Sequence, residues 1–230
     1  MASIHYDYCF TFPRGKKKKF TLEIDHNTLL LIPGTDIFAD WSRLSSNQCS
    51  CCPLSLEENQ HCPIAANLSE LVSAFTDTAS YESCHVSCTT AERVISKNTI
   101  VQEGLSSIMG IIMATSGCPI MDILKPMARF HLPFATVDES MFRSISVYLL
   151  RQYFIHLDSG ASDFHLENVK AYYSKIEVVN SGILERIRKA SRKDADRNAI
   201  VILNCLAQIL YLELDDNLQS LQYIFKDSLL

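Results

Sequence analysis

Four cysteines fall between positions 49 and 62: Cys49, Cys51, Cys52 and Cys62. Thiolates are soft donors that hold zinc or iron–sulfur clusters. Cys49 and Cys52 stand as C-x2-C, a spacing that lets two sulfurs on one turn reach the same ion. Cys62 follows ten positions later, and a fourth ligand has to come from elsewhere. Cys118, in "SGCP", is the candidate. Cys52, Cys62 and Cys118 are each followed by proline. Proline is favoured at the first position of a helix, so Pro63 and Pro119 predict helices with Cys62 and Cys118 at their N-termini. The partial positive charge at such an end favours thiolate, the form that metals bind. Cys49, Cys52, Cys62 and Cys118 together therefore fit zinc or a [4Fe–4S] cluster. Cys51 competes with Cys52 for a place in the set, and His61 could replace Cys62 around zinc. The plainer alternative is that these are buried small side chains, since free cysteine buries readily. A stretch rich in Ser, Asn, Gln and Glu is poor core material, which weighs against it. Cys9, Cys84, Cys88 and Cys205 sit in strand or helix patterns and read as core residues.

A second cluster, Lys125, Arg129 and His131, lies in "KPMARFHLPFAT". Lys125 and Arg129 are four apart and could share a helix face, unless Pro126 disturbs it. Arg with Lys is a natural clamp for phosphate or carboxylate, and His could move a proton near neutral pH. These residues form a candidate anion site for a small ligand. The competing structural reading pairs Lys125 and Arg129 with Asp122 and Asp138, and leaves His131 as a satisfied core residue. No Gly-rich phosphate loop and no G-x-S-x-G nucleophile elbow supports an enzyme.

These groups must be positioned by a chain of 230 residues, enough for one large domain or two small ones. Charge is mixed, with a net of −5, which argues against a nucleic-acid coat. The one basic run, Arg14 to Lys19, reads as a solvated hairpin tip. No stretch supplies the roughly 20 apolar residues of a membrane helix. The N-terminal segment has neither a basic leader nor a long apolar core, so a soluble cytoplasmic protein is expected. Cysteines there stay reduced, which disfavours a disulfide framework.

Period-2 alternation predicts strands over "IHYDYCFTF", "FTLEI" and "TLLLI", joined by two short turns as an antiparallel meander. One face would carry Tyr6, Tyr8, Phe10 and Phe12. Residues 34–62 read as irregular. Ile64, Leu68, Leu71, Val72 and Phe75 then repeat at helical spacing. A fourth strand, with the beginnings of a fifth, follows near residues 81–97. Beyond Asn98 the pattern is helical. A first helix stops at Gly117, and Pro126 splits a short second one. A third carries Phe142, Ile145, Leu149 and Tyr153 on one stripe. A fourth carries Leu166, Val169, Tyr173, Ile176, Ile183 and Ile187, and a fifth runs over residues 194–214. The expected fold is α+β: a β-rich part over residues 1–97 with the cysteine segment at 48–63, then a helical bundle over 98–230, behaving as one cooperative unit.

The Cys-Pro pair is similar to the end of bacterial-ferredoxin cluster motifs, which puts [4Fe–4S] ahead of zinc. More broadly, the chain resembles an uncharacterised family of bacterial proteins. The resemblance rests on Gln48, Cys49, Cys52, Pro53, Leu54, Cys62, Pro63, Ala65, Met113 to Pro119 and Leu124 to Thr136. It covers most of the chain and implies a single shared fold without implying an activity; Cys51 is a departure from its pattern. The function expected is metal binding through four cysteines in a structural or sensory role. The alternatives are a metal-dependent or redox enzyme acting on a small anion, and a module that binds a partner protein.

Overall fold

The computed structural model describes residues 3–34, 38–190, 192–215 and 218–225. Strands β1 (Ser3–Thr11), β2 (Lys17–Asp25), β3 (Ser83–Thr89) and β4 (Val94–Ile100) form one antiparallel sheet in the order β2-β1-β3-β4. The β1–β2 hairpin pairs Tyr6 with Leu22 and Tyr8 with Phe20. Its alternation puts Tyr6, Tyr8, Phe10 and Phe12 on one buried face, as period 2 requires. The turn uses left-handed backbone at Arg14 and Gly15. The basic run is more than a hairpin tip. Lys18 lies on β2, with its ammonium 4.0 Å from the Phe75 ring centroid and a hydrogen bond to Thr78.

The expected third meander strand is absent. Asp25 Oδ1 accepts from the amides of Asn27 and Thr28, making a tight turn that spends the residues a strand would need. Leu31 makes only an isolated bridge to Ile24, while its amide donates to the carbonyl of Thr115. The edge of β1 is instead taken by β3, which returns after the cysteine segment and the first helix. β4 runs to Ile100, so the expected division at residue 97 falls inside a strand.

Helix α1 (Pro63–Phe75) buries Ile64, Leu68, Leu71, Val72 and Phe75, the stripe its spacing predicts. Helix α2 (Val101–Thr115) lies directly on the sheet. A Cβ at Gly104 would come within 2.6 Å of the Phe10 ring, so only glycine permits this approach. The helix ends at Thr115, two residues before Gly117, whose φ is +86°. A 3-10 turn (Met121–Leu124) leads into the short α3 (Lys125–Arg129), then α4 (Val137–Ser159), α5 (Val169–Ala190), α6 (Ala195–Asp215) and α7 (Gln219–Gln222). Thr136 starts α4 with a complete capping box to Glu139.

On α4 the buried stripe is offset from the expected one. Met141, Ser144, Ile145, Tyr148 and Gln152 face inward, while Phe142 and Tyr153 are exposed. The α5 stripe agrees from Val169 onward but also buries Asn180 and Arg186; Leu166 precedes the helix with φ of 63°. A single hydrophobic core runs from the sheet through to α6. Tyr6 ties sheet to helices by donating its hydroxyl to the carbonyls of Ala128 and Arg129. The last residues of the expected helical half, beyond 225, lie outside the described residues.

Candidate functional site: a four-cysteine cavity

The 41–62 segment has little regular structure, and hydrogen bonds from elsewhere set its path. Residues 42–44 lie antiparallel to 60–62: Leu44 N donates to Gln60 O and Cys62 N to Ser42 O, both at 2.8 Å. Cys62 caps α1 with Pro63 as its first residue, as the sequence predicts. The amide of Cys52 donates to the carbonyl of Cys49 at 2.9 Å, so the C-x2-C spacing makes one tight turn. Gln48 Nε2 donates to Leu54 O at 2.7 Å and closes the loop around that turn.

Helix α5 holds the loop from the other side. Arg186 is 1% exposed, and its guanidinium reads the backbone of the segment. Nη1 donates to the carbonyls of Trp41 and Arg43, and Nη2 to those of Leu44 and Asn47. Asn47 Nδ2 in turn donates to Gly182 O at 2.9 Å. Gly182 is glycine for a steric reason, since a Cβ there would lie 2.6 Å from Cys49 Sγ.

Cys49, Cys52, Cys62 and Cys118 line one small cavity of about 20 Å³, together with Arg186. The four residues singled out from spacing and from their prolines are thus brought together from a loop, a helix cap and the turn after α2. Cys51 points away and is 3.8 Å from the carbonyl of Lys175, which leaves Cys52 as the member of the pair facing the cavity. His61 is engaged elsewhere, with Nδ1 at 2.7 Å from Ser42 Oγ and its ring against Phe38. All nine cysteines are free thiols.

The thiols surround the space without closing on it. Among the described residues, no three His, Cys, Asp or Glu side chains stand at the spacing of an ion's ligands. Cys118 is also not at a helix start. Its carbonyl accepts from Met121 N in a turn, and the 3-10 turn begins only at Met121. The expectation that it would favour thiolate is overturned. Burial pushes the Cys118 thiol up to about 11, outweighing the amides of Met121 and Ile120. Cys49 is pushed up to about 12, first by burial and then by the neighbouring thiols of Cys62, Cys51, Cys52 and Cys118.

One atom of the cavity lining lacks a hydrogen-bond partner among the described residues. Arg186 Nε is buried and makes no hydrogen bond, and the guanidinium has carbonyl partners but no carboxylate. A buried cation of this kind requires a counter-charge or a full set of acceptors. Four thiolates around a divalent ion carry a net negative charge and offer sulfur acceptors. A set of this kind would offset the Arg186 charge. The space itself is only about 20 Å³. A [4Fe–4S] cluster would require the loop to move outward.

Lys125, Arg129 and His131 occupy three different settings. Lys125 pairs with Asp122 at 3.0 Å. The Arg129 guanidinium lies over the Phe130 ring at 5.1 Å. His131 Nε2 is 2.5 Å from Tyr8 Oη, which is also 2.8 Å from Ser107 Oγ. Burial, assisted by the Arg143 guanidinium, pushes His131 down to about 3, so it is neutral at ordinary pH.

Sequence reasoning missed Arg186, Gly182 and Asn47. Arg186 did leave a signal, because it falls on the apolar stripe of α5 between Ile183 and Ile187. No curated protein and no solved structure matches the chain. A family model described as a domain of unknown function, DUF6901, matches residues 4–226. Because that match runs through sheet, cysteine loop and helices alike, the chain belongs to the DUF6901 family.

Proposed function

We propose that this protein binds a metal through Cys49, Cys52, Cys62 and Cys118, in a structural or sensory role. The observation that carries the reading is the shared cavity: four thiols and a buried, incompletely satisfied Arg186 line one space. Thiolate donors select zinc, copper(I) or iron–sulfur chemistry. Zinc asks for the smaller movement of the loop, whereas the Cys-Pro pattern favours [4Fe–4S]. In either form the site would tie the loop to the turn after α2, closing a stretch of roughly 55 residues between Cys62 and Cys118. Arg186 would donate toward the bound sulfurs through Nε–H and offset their charge.

The test is elemental analysis and a visible spectrum on protein purified without oxygen. Brown protein with about four irons per chain identifies the cluster. Colourless protein with about one zinc identifies the single ion. Protein that carries neither, and takes up neither on reconstitution, sinks the reading.

A further inference from the structure

A separate cavity of about 590 Å³ opens among α2, the 121–137 segment, α4, α5 and α6. Its size is that of a small-molecule site. The walls are largely hydrocarbon and thioether, with Met113, Met121, Met127 and Met141 among them. Methionine is unbranched and adaptable, so such walls suit a flexible aliphatic chain better than a flat ring.

Helix α6 supplies Leu203, Leu206 and Leu210 to the same space. By length and composition alone α6 is apolar enough to cross a membrane, with a mean hydropathy of 1.3, yet it packs on α2 and α5. Only 28% of its apolar window is buried.

Most of the charged and polar groups of the lining have partners. Lys97 pairs with Glu103 at 3.1 Å. Arg143 donates to the carbonyls of Met127 and Phe130. Ser107 and His131 belong to the Tyr8 network, and Ser144 Oγ is 3.4 Å from Met127 Sδ. Asn180, on α5, lines the cavity and is 2% exposed, and its Oδ1 has no hydrogen-bond partner among the described residues. A buried acceptor left unpaired is costly, and native proteins keep few of them.

We propose that this cavity binds a neutral, mainly aliphatic molecule carrying a single hydroxyl or N–H group, which donates to Asn180 Oδ1. An anion is disfavoured because a carboxylate has only acceptors and cannot donate to the Asn180 oxygen. A pure hydrocarbon would leave the Asn180 oxygen unsatisfied.

Isothermal titration of the full chain with 1-decanol, decyl methyl ether and decanoate tests this. The expected result is saturable binding of decanol, with the ether, which lacks the donor, about tenfold weaker or more. Decanoate should bind more weakly than decanol. In Asn180→Leu, which removes an unpaired polar group and so should fold, the gap between alcohol and ether should close. Failure of decanol to bind, equal binding of the ether, or tighter binding of decanoate overturns the proposal. So does an alcohol–ether gap that persists in Asn180→Leu. The alcohol–ether comparison on the wild-type chain decides the donor requirement even if the variant does not fold.

Discussion

Replacing Gly182 by Ala tests how closely α5 is fitted to the cysteine loop. In a helix interior, Ala is ordinarily favoured over Gly by about 0.8–1 kcal/mol. Here the new methyl carbon would sit 2.6 Å from Cys49 Sγ and 3.9 Å from its Cβ. Ordinary carbon contacts lie at about 3.5–4.0 Å, so the sulfur must retreat by about 1 Å. Since Sγ ends a rotatable side chain, it can do so by leaving its rotamer. Overpacking of this kind costs about 1–3 kcal/mol, which the helix preference partly offsets. The metal-free protein should therefore keep its fold within about 2 kcal/mol of wild type. Metal binding should suffer far more, because ligand distances tolerate only about 0.2 Å. Gly110→Ala is the control: its Cβ would meet only Leu203, at an ordinary 3.8 Å. Metal content per chain and its resistance to a chelator are the readouts, with urea denaturation as the check on folding. Gly182→Ala protein that holds metal as tightly as Gly110→Ala would refute the claim that Cys49 is a ligand in this position.

Single Ser substitutions at Cys49, Cys52, Cys62 or Cys118 should each lose most of the metal, whereas Cys9, Cys51, Cys84, Cys88 and Cys205 should be dispensable; elemental analysis of the panel checks this, and metal retained by Cys118→Ser would remove the fourth ligand. Arg186→Leu should lower stability by about 3–5 kcal/mol, since it strips donors from buried carbonyls, and Arg186→Lys should not restore it because an ammonium lacks the planar fork; chemical denaturation measures both. His131 binds its proton far less readily folded, at about 3, than at its ordinary 6.5. The unfolded chain then takes up the extra proton between those values, so the stability this group confers is full above pH 6.5 and falls with pH by up to about 1.4 kcal/mol per unit until about pH 3. The difference between wild type and His131→Gln should shrink along that line, and a difference independent of pH would show that His131 is not held neutral by the fold.

Local pattern carried the sequence reading where local forces decide. The Tyr6–Phe12 alternation, the α1 stripe and the Gly117 stop each follow from a few neighbouring residues. Leu31 failed the same logic because its backbone partner is Thr115, far along the chain. The α4 stripe was misplaced because apolar residues occur on more than one side of that helix, and only packing selects among them. For the candidate site, the C-x2-C spacing and the prolines after three of the cysteines picked out four residues that line one cavity, but Cys118 lies in a turn and not at the helix start expected for it. Arg186 and Asn180 were visible as polar residues on an apolar stripe. Their partners were not, because a backbone carbonyl leaves no trace in a side-chain pattern.

The Arg186 clamp has a consequence in time. The loop it organises is made early, and the guanidinium that orders it lies roughly 120 residues further along the chain. At roughly 5–20 residues per second of synthesis, the first three cavity thiols leave the ribosome about 6–25 s before their clamp exists. During that interval the hairpin and α1 can form, but residues 41–49 lack the donors that fix their carbonyls. The three loop thiols thus wait in an unclamped segment, and the completed cavity is a late product of the C-terminal helices.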